Sequence, residues 1–345
     1  MAAALLLLPS QPAAEVPAAA LSPSAASSDA RSISAPPNAV LEAPSAPAHW
    51  TPSAAARPTR AAFALDVAGT EVPLRIMALA VLPGEGVAIA KSGTAGGRLA
   101  VAAAGGRLAS AGVDRWTWTA PEEPGFHPVR VVSSEPADTI DLTFLVAHPA
   151  THVRGGSLHG YAIGTYRARP ASMSSVYEPP NAFVEVRPED YDVLLSPNFR
   201  LGQFLCKQPG EPRFVVVSPP LLRQLEALLV AVNEAGFPTG RLSVMSGYRT
   251  PAYNRAIGNT TDFSRHLWGD AADVYVDVDG DGEMDDVNRD GRVDLADGRW
   301  LADVAERMMR DGRNGVPTGG LSIYPPNAVH GPFVHVDARG ALTRW

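Results

Sequence analysis

From residue 61 to 150 the chain is cut into short runs by glycine and proline. Breaks fall at Pro83-Gly84, Gly105-Gly106 and Pro124-Gly125, too closely spaced for long helices. Between them apolar and polar residues alternate, as in Val72-Pro73-Leu74-Arg75-Ile76, Val129-Arg130-Val131 and Asp141-Leu142-Thr143-Phe144-Leu145-Val146. A period of two with turn residues at such intervals predicts a small β-sandwich. Trp116-Thr117-Trp118-Thr119-Ala120-Pro121 resembles a core strand of bacterial immunoglobulin-like modules. No cluster of reactive side chains occurs in this stretch, which predicts a spacer or wall-contact part.

The flanks read differently. Residues 26–60 are rich in Ala, Pro and Ser and predict a disordered linker, because so few apolar side chains cannot offset the entropy of ordering. Residues 1–25 hold an apolar run, Ala2 to Leu8, too short to span a bilayer. It reads as the apolar part of a signal peptide with Ala18-Ala19-Ala20 as a cleavage site, although a basic start is missing. Export to the periplasm or cell envelope, without stable membrane insertion, is the expectation. The single cysteine, Cys206, excludes an internal disulfide framework. Residues 151–190, rich in Tyr, Pro and Arg without periodicity, predict an extended connector.

Residues 191–345 carry mixed signals and predict an α+β domain. Ser218-Pro219-Pro220 opens a helix with apolar residues at Leu221, Leu225, Leu228, Leu229 and Val232, stopped by Gly236 and Pro238. Leu242–Met245, Asp273–Val276 and Phe333–Asp337 are the strands expected to receive it. The net charge of −7 gives no support to nucleic-acid binding. Residues 277–297 alone hold eight Asp and one Glu against Arg289 and Arg292, which equals the excess of the whole chain.

Ser264-Arg265-His266-Leu267-Trp268-Gly269-Asp270-Ala271-Ala272-Asp273 fits Ser-x-His-x-x-Gly-x-Ala-x-Asp at every fixed position. Ser246-Gly247-Tyr248-Arg249 precedes it and Phe333-Val334-His335-Val336-Asp337 follows. With these motifs the C-terminal part resembles the zinc D-Ala-D-Ala metallopeptidases and their murein endopeptidase branch, whose fold is shared with lysostaphin and the signalling domain of hedgehog. The resemblance implies an antiparallel sheet with packed helices, one zinc ion on His266, Asp273 and His335, and Arg249 near the scissile bond. It implies hydrolysis of peptide bonds in peptidoglycan stem peptides, as a murein endopeptidase or D,D-carboxypeptidase. The residue types agree, since two imidazoles and a carboxylate leave a fourth zinc position free for water. In the dipeptidase branch an acid lies three positions before the last histidine, where this chain has Pro332. His330 and Asp337 are the proton carriers left, Asp337 the better placed because strand alternation puts it on the face of His335. The alternative is a non-catalytic protein that keeps its zinc and binds the wall. His49, His127, His148, His152 and His159 have no comparable context and read as structural or solvent-exposed.

The acidic stretch holds two loops of the pattern Asp-x-[Asp/Asn]-x-[Asp/Asn]-Gly, which predicts calcium. The ligands would be Asp277, Asp279 and Asp281 in the first, and Asp286, Asn288, Asp290, Asp294 and Asp297 in the second, with a helix carrying Trp300, Leu301, Val304 and Met308 after it.

Overall fold

A computed structural model describes residues 56–95, 97–312 and 315–345. The signal-peptide reading of residues 1–25, most of the linker reading and His49 lie outside the described residues. The alternating runs form nine strands: β1 (Arg60–Val67), β2 (Thr70–Leu74), β3 (Ile76–Val81), β4 (Gly86–Ser92), β5 (Leu99–Ala103), β6 (Arg107–Gly112), β7 (Arg115–Thr119), β8 (Gly125–Ser134) and β9 (Ala137–Val146). They make an all-β region of two sheets, ordered β2-β1-β4-β7-β6 and β3-β9-β8-β5. The inward residues of both meet in one apolar layer, where the fully buried Trp118 stacks on Phe144 at 4.4 Å. The run Val72–Ile76 is not one strand. At Arg75 the chain leaves the first sheet and enters the second, beside β9, and the Arg75 guanidinium pairs with Asp138 at the crossing.

The connector is more structured than its composition suggests. Just after β9 comes β10 (His148–Pro149), and the connector itself holds β11 (Ser157–Leu158), β12 (Tyr161–Ala162) and β13 (Ala182–Val186). Beyond it come β14 (Leu194–Ser196), β15 (Phe199–Arg200) and β16 (Arg213–Val215). β10, β13 and β16 join in a small antiparallel sheet.

The following helix, α1 (Pro219–Glu234), starts and stops where capping chemistry places it, although Ser218 makes no side-chain cap bond. Its apolar stripe meets the helix α3 (Leu295–Asp311) and the strands β14 and β3, so it does not lie mainly on the three strands expected to receive it. Gln224 reaches across to that sheet, donating to the carbonyl of Asp337 at 3.0 Å. The sheet is β17 (Ser243–Ser246), β18 (Ala271–Tyr275), β19 (Gly320–Tyr324), β20 (Phe333–Asp337) and β21 (Thr343–Arg344), in the order β17-β18-β20-β19-β21. Every pairing is antiparallel except β19 with β21. A short helix, α2 (Pro251–Ala256), follows β17, and α3 covers β19 and β20. Val334 and Val336 point into the core at zero exposure, which leaves the opposite face for polar residues.

Candidate metal centre

The register of the sheet builds the site. Asp273 on β18 stands directly opposite His335 on β20, and the row continues to Ser246 on β17 and Ser322 on β19. Directly opposed residues share a face, so one transverse row of four side chains crosses the sheet. His266 comes from outside it, on the 3-10 turn Arg265–Trp268 that leads into β18. Gly269 ends that turn at φ +66, and a β-carbon there would stand 2.0 Å from the carbonyl oxygen of Val216. Only glycine fits. Arg265 and Asp270, two variable positions of the motif, form a buried ion pair across the turn, with Nε to Oδ1 at 3.0 Å. The guanidinium lies over Tyr177 at 4.4 Å.

Asp273 Oδ1 lies 3.2 Å from His266 Nε2 and 3.0 Å from His335 Nδ1, and the two ring nitrogens are 3.2 Å apart. A tetrahedral zinc with ligand bonds of 2.0–2.1 Å sets its ligands about 3.3 Å apart, so these donor atoms fit one ion. The outer contacts fit as well. His266 Nδ1 donates to the carbonyl of Gly247 at 2.7 Å, leaving Nε2 to face its partners, and Arg249 takes the other oxygen of Asp273 at 2.6 Å. Arg249 is further held by Ser246 Oγ at 2.8 Å. It is tied to the triad and not to the acidic loop, where Asp277 is met by Arg241.

The charges interlock. Burial pushes the Asp273 carboxyl up, but the two imidazoles together outweigh it and hold it well below the usual range. Burial lowers His266. It would lower His335 too, yet Asp273 on one side and Asp337 on the other raise this imidazole to about 9.

Two roles are open to Asp337, to polarise the water or to fix a ligand. It shares the face of His335, and its carboxylate sits behind the ring, where the second role is the one it is placed for. It meets His335 Nε2 at 3.2 Å, accepts from the Gly320 N–H at 2.8 Å, and pairs with Arg339 through Nε at 2.8 Å and Nη2 at 2.5 Å. It is fully buried. Burial raises its pKa, but these partners hold it below the ordinary carboxylate range, so it orients His335 and makes a poor base. His330 is engaged in its own loop: its ring nitrogens face Asn327 Nδ2 at 2.7 Å and the Gly331 carbonyl at 2.8 Å, and the ring lies 4.9 Å from Phe333.

Three neighbours of the triad were not singled out from the sequence. Lys207 lies close enough to Arg249 and Asp273 to feel both charges, its pKa lowered by burial first and by Arg249 second. Arg339 anchors Asp337, and its spacing two residues on could have signalled a shared face. Trp345 sets its ring 5.3 Å from that of His335, with its carbonyl held by Ser322 Oγ at 2.7 Å. A cleft of about 420 Å³, lined by residues such as Arg60, Arg223 and Met308, contains none of the triad. Side-chain chemistry, not volume, marks the site.

The two acidic loops differ. Asp277, Asp279 and Asp281 bring carboxylate oxygens within 4.8 Å of one another. In both loops side chains accept from the loop's own backbone: Asp277 from Gly280 at 2.6 Å and Asp281 from Glu283 at 2.8 Å in the first, and Asp286 from Gly291 at 2.7 Å, Asn288 from Asp290 at 2.8 Å and Asp290 from Arg292 at 3.0 Å in the second. Asp294 caps α3 by accepting from Ala296 at 2.7 Å, and the buried Asp297 closes the capping box by accepting from Asp294 at 2.9 Å. By the distance that gathers the first loop, no group of three carboxylates forms in the second.

Residues 197–294 match the family model described as Peptidase M15, which covers His266 and Asp273 and stops short of His335. The match supports the zinc D-Ala-D-Ala peptidase family for the C-terminal region and, more broadly, a peptidase. No curated protein and no solved structure matches the chain.

Proposed function

We propose that the Peptidase M15 region is a zinc-dependent hydrolase of peptide bonds in peptidoglycan stem peptides, a murein endopeptidase or D,D-carboxypeptidase. The observation that carries this reading is the triad: Asp273 and His335 opposed across β18 and β20, with His266 completing donor distances of 3.0–3.2 Å. Zinc on these residues supplies a Lewis acid and lowers the pKa of water to about 7. The chain does the rest. Arg249, fixed by Ser246 and Asp273, presents a rigid fork of donors to a substrate carboxylate or to developing negative charge on the attacked carbonyl oxygen. Asp337 positions His335. Of the two expected proton carriers, His330 remains, and its Nε2 would exchange Asn327 for the substrate.

The acidic insertion is read as a calcium element, with Asp277, Asp279 and Asp281 the better-assembled set. The two-sheet region is read as an immunoglobulin-like spacer and the protein as exported, where such a substrate lies. Among the described residues no helix is long and apolar enough to cross a membrane. One observation favours a wall-binding protein without activity: Pro332 stands at the position of the usual acid, and Asp337 is committed to Arg339.

Digestion of purified peptidoglycan followed by mass analysis of the fragments tests the reading. Cleaved cross-links or released D-Ala are expected from the wild type, with none from His266→Ala and a kcat about 10²–10³ lower in Arg249→Ala. Intact muropeptides from zinc-loaded wild-type protein that still binds the wall would transfer the assignment to the binding class.

A further inference from the structure

Outside the triad, the fold gathers a second set of imidazole and carboxylate donors that the sequence had left unconnected. His148 lies on β10, Glu185 on β13, and His159 in the turn between β11 and β12. His148 is paired with Phe183, so Glu185, two residues along β13, shares its face of the small sheet. Glu185 Oε2 lies 3.0 Å from His148 Nε2 and 3.5 Å from His159 Nδ1, and the three donor atoms are mutually within 4.8 Å. The two rings meet edge to face at 4.7 Å, and each also packs on Phe214.

An ordinary ion-pair cluster leaves one observation unexplained. His148 is 8% exposed, and its buried Nε2 makes no aligned hydrogen bond even though Glu185 Oε2 is only 3.0 Å away. The oxygen therefore stands beside the axis of the ring nitrogen and not on it. A hydrogen bond demands alignment. Two ligands of a common ion do not, because each lone pair points at a third position. Ligands of a tetrahedral zinc stand about 3.3 Å apart. Separations of 3.0 and 3.5 Å bracket that value, and those of the triad are similar. Glu185 is also oriented for the task, since Arg187 holds its other oxygen at 2.6 Å.

We propose that His148, His159 and Glu185 form a second divalent-metal site, separate from the triad, for zinc or a related borderline cation. Two imidazoles and one carboxylate favour such an ion over calcium or magnesium, which take oxygen ligands. The His159 side chain is 50% exposed, so the remaining coordination positions open to water. An ion here would tie the strand that leaves the two-sheet region to the β11–β12 hairpin and to β13.

The test is zinc stoichiometry of the full protein by calorimetric titration, with excess calcium present to occupy oxygen-only sites. Two equivalents are expected in the wild type. His159→Ala, a half-exposed position unlike the buried His148, should bind one, and Glu185→Gln should bind its second at least about tenfold more weakly. His266→Ala should lose the triad equivalent and keep the other, which separates failure of this site from failure of the peptidase centre. One equivalent in the wild type, or two undiminished equivalents in both His159→Ala and Glu185→Gln, would overturn the proposal.

Discussion

Zinc binding at the triad should be strongly coupled to pH, and His335 sets the coupling. In the metal-free protein its imidazole is flanked by Asp273 and Asp337 and held at about 9, against an ordinary value of 6.5. Zinc needs the neutral ring, so each ion must displace a proton. Below pH 9 the neutral fraction grows tenfold per pH unit. Apparent affinity should therefore rise about 100-fold between pH 6 and pH 8, about 1.4 kcal/mol per unit. An unperturbed histidine would give only about a fourfold rise over the same range. His266, lowered by burial, adds less slope than an unperturbed histidine would. The assay is competition against a chelating dye corrected for its own protonation. Calorimetry in two buffers at pH 6, below the pKa of about 7 for zinc-bound water, should count close to one proton released per ion. The sign for stability is opposite. A raised histidine pKa stabilises the metal-free fold below 6.5, and that contribution is lost as the pH rises through about 9. A fourfold or smaller change in affinity, with no proton released, would refute the arrangement of carboxylates around His335.

Asp337→Asn should weaken zinc about 10–100-fold, as expected for loss of an outer-shell partner, and flatten the pH slope; unchanged affinity and slope would return Asp337 to the role of proton carrier. Gly269→Ala forces a left-handed residue and a contact at 2.0 Å with Val216, so it should cost about 3 kcal/mol or more in denaturant unfolding and lower zinc content with it. Calcium added to chelator-stripped protein should raise the melting temperature, and Asp279→Asn should remove more of that rise than Asp290→Ala, because the first loop has its carboxylates gathered; no shift in the wild type would make the insertion a solvated acidic loop.

Much of this was legible where a local rule acts alone. Val334 and Val336 alternate with His335 and Asp337 and the strand forms at those residues, and α1 follows its proline start and glycine stop. The two-sheet region follows from the Gly and Pro punctuation, but the change of sheet at Arg75 does not, since one apolar alternation runs through it. Strand alternation placed Asp337 on the face of His335 and said nothing of Arg339, whose guanidinium decides what that carboxylate can do. His148, His159 and Glu185 were passed over because their spacing matches no motif; the β10–β13 pairing and a turn bring them together, and neither has a strong local signal.

The row that sets Asp273 against His335 also fixes when the site can exist. The two ligands are 62 positions apart in the chain, with the acidic insertion, α3 and β19 between them. Because strand faces alternate, β20 shifted by one residue would turn His335 into the apolar core and Val334 and Val336 away from it, so the core and the metal ligands come into register together or not at all. Pairing over such a distance is a late and slow step in folding. An unfinished chain holds at most two of the three ligands. Under the proposed function, completion of the sheet would itself be the step that switches hydrolysis on.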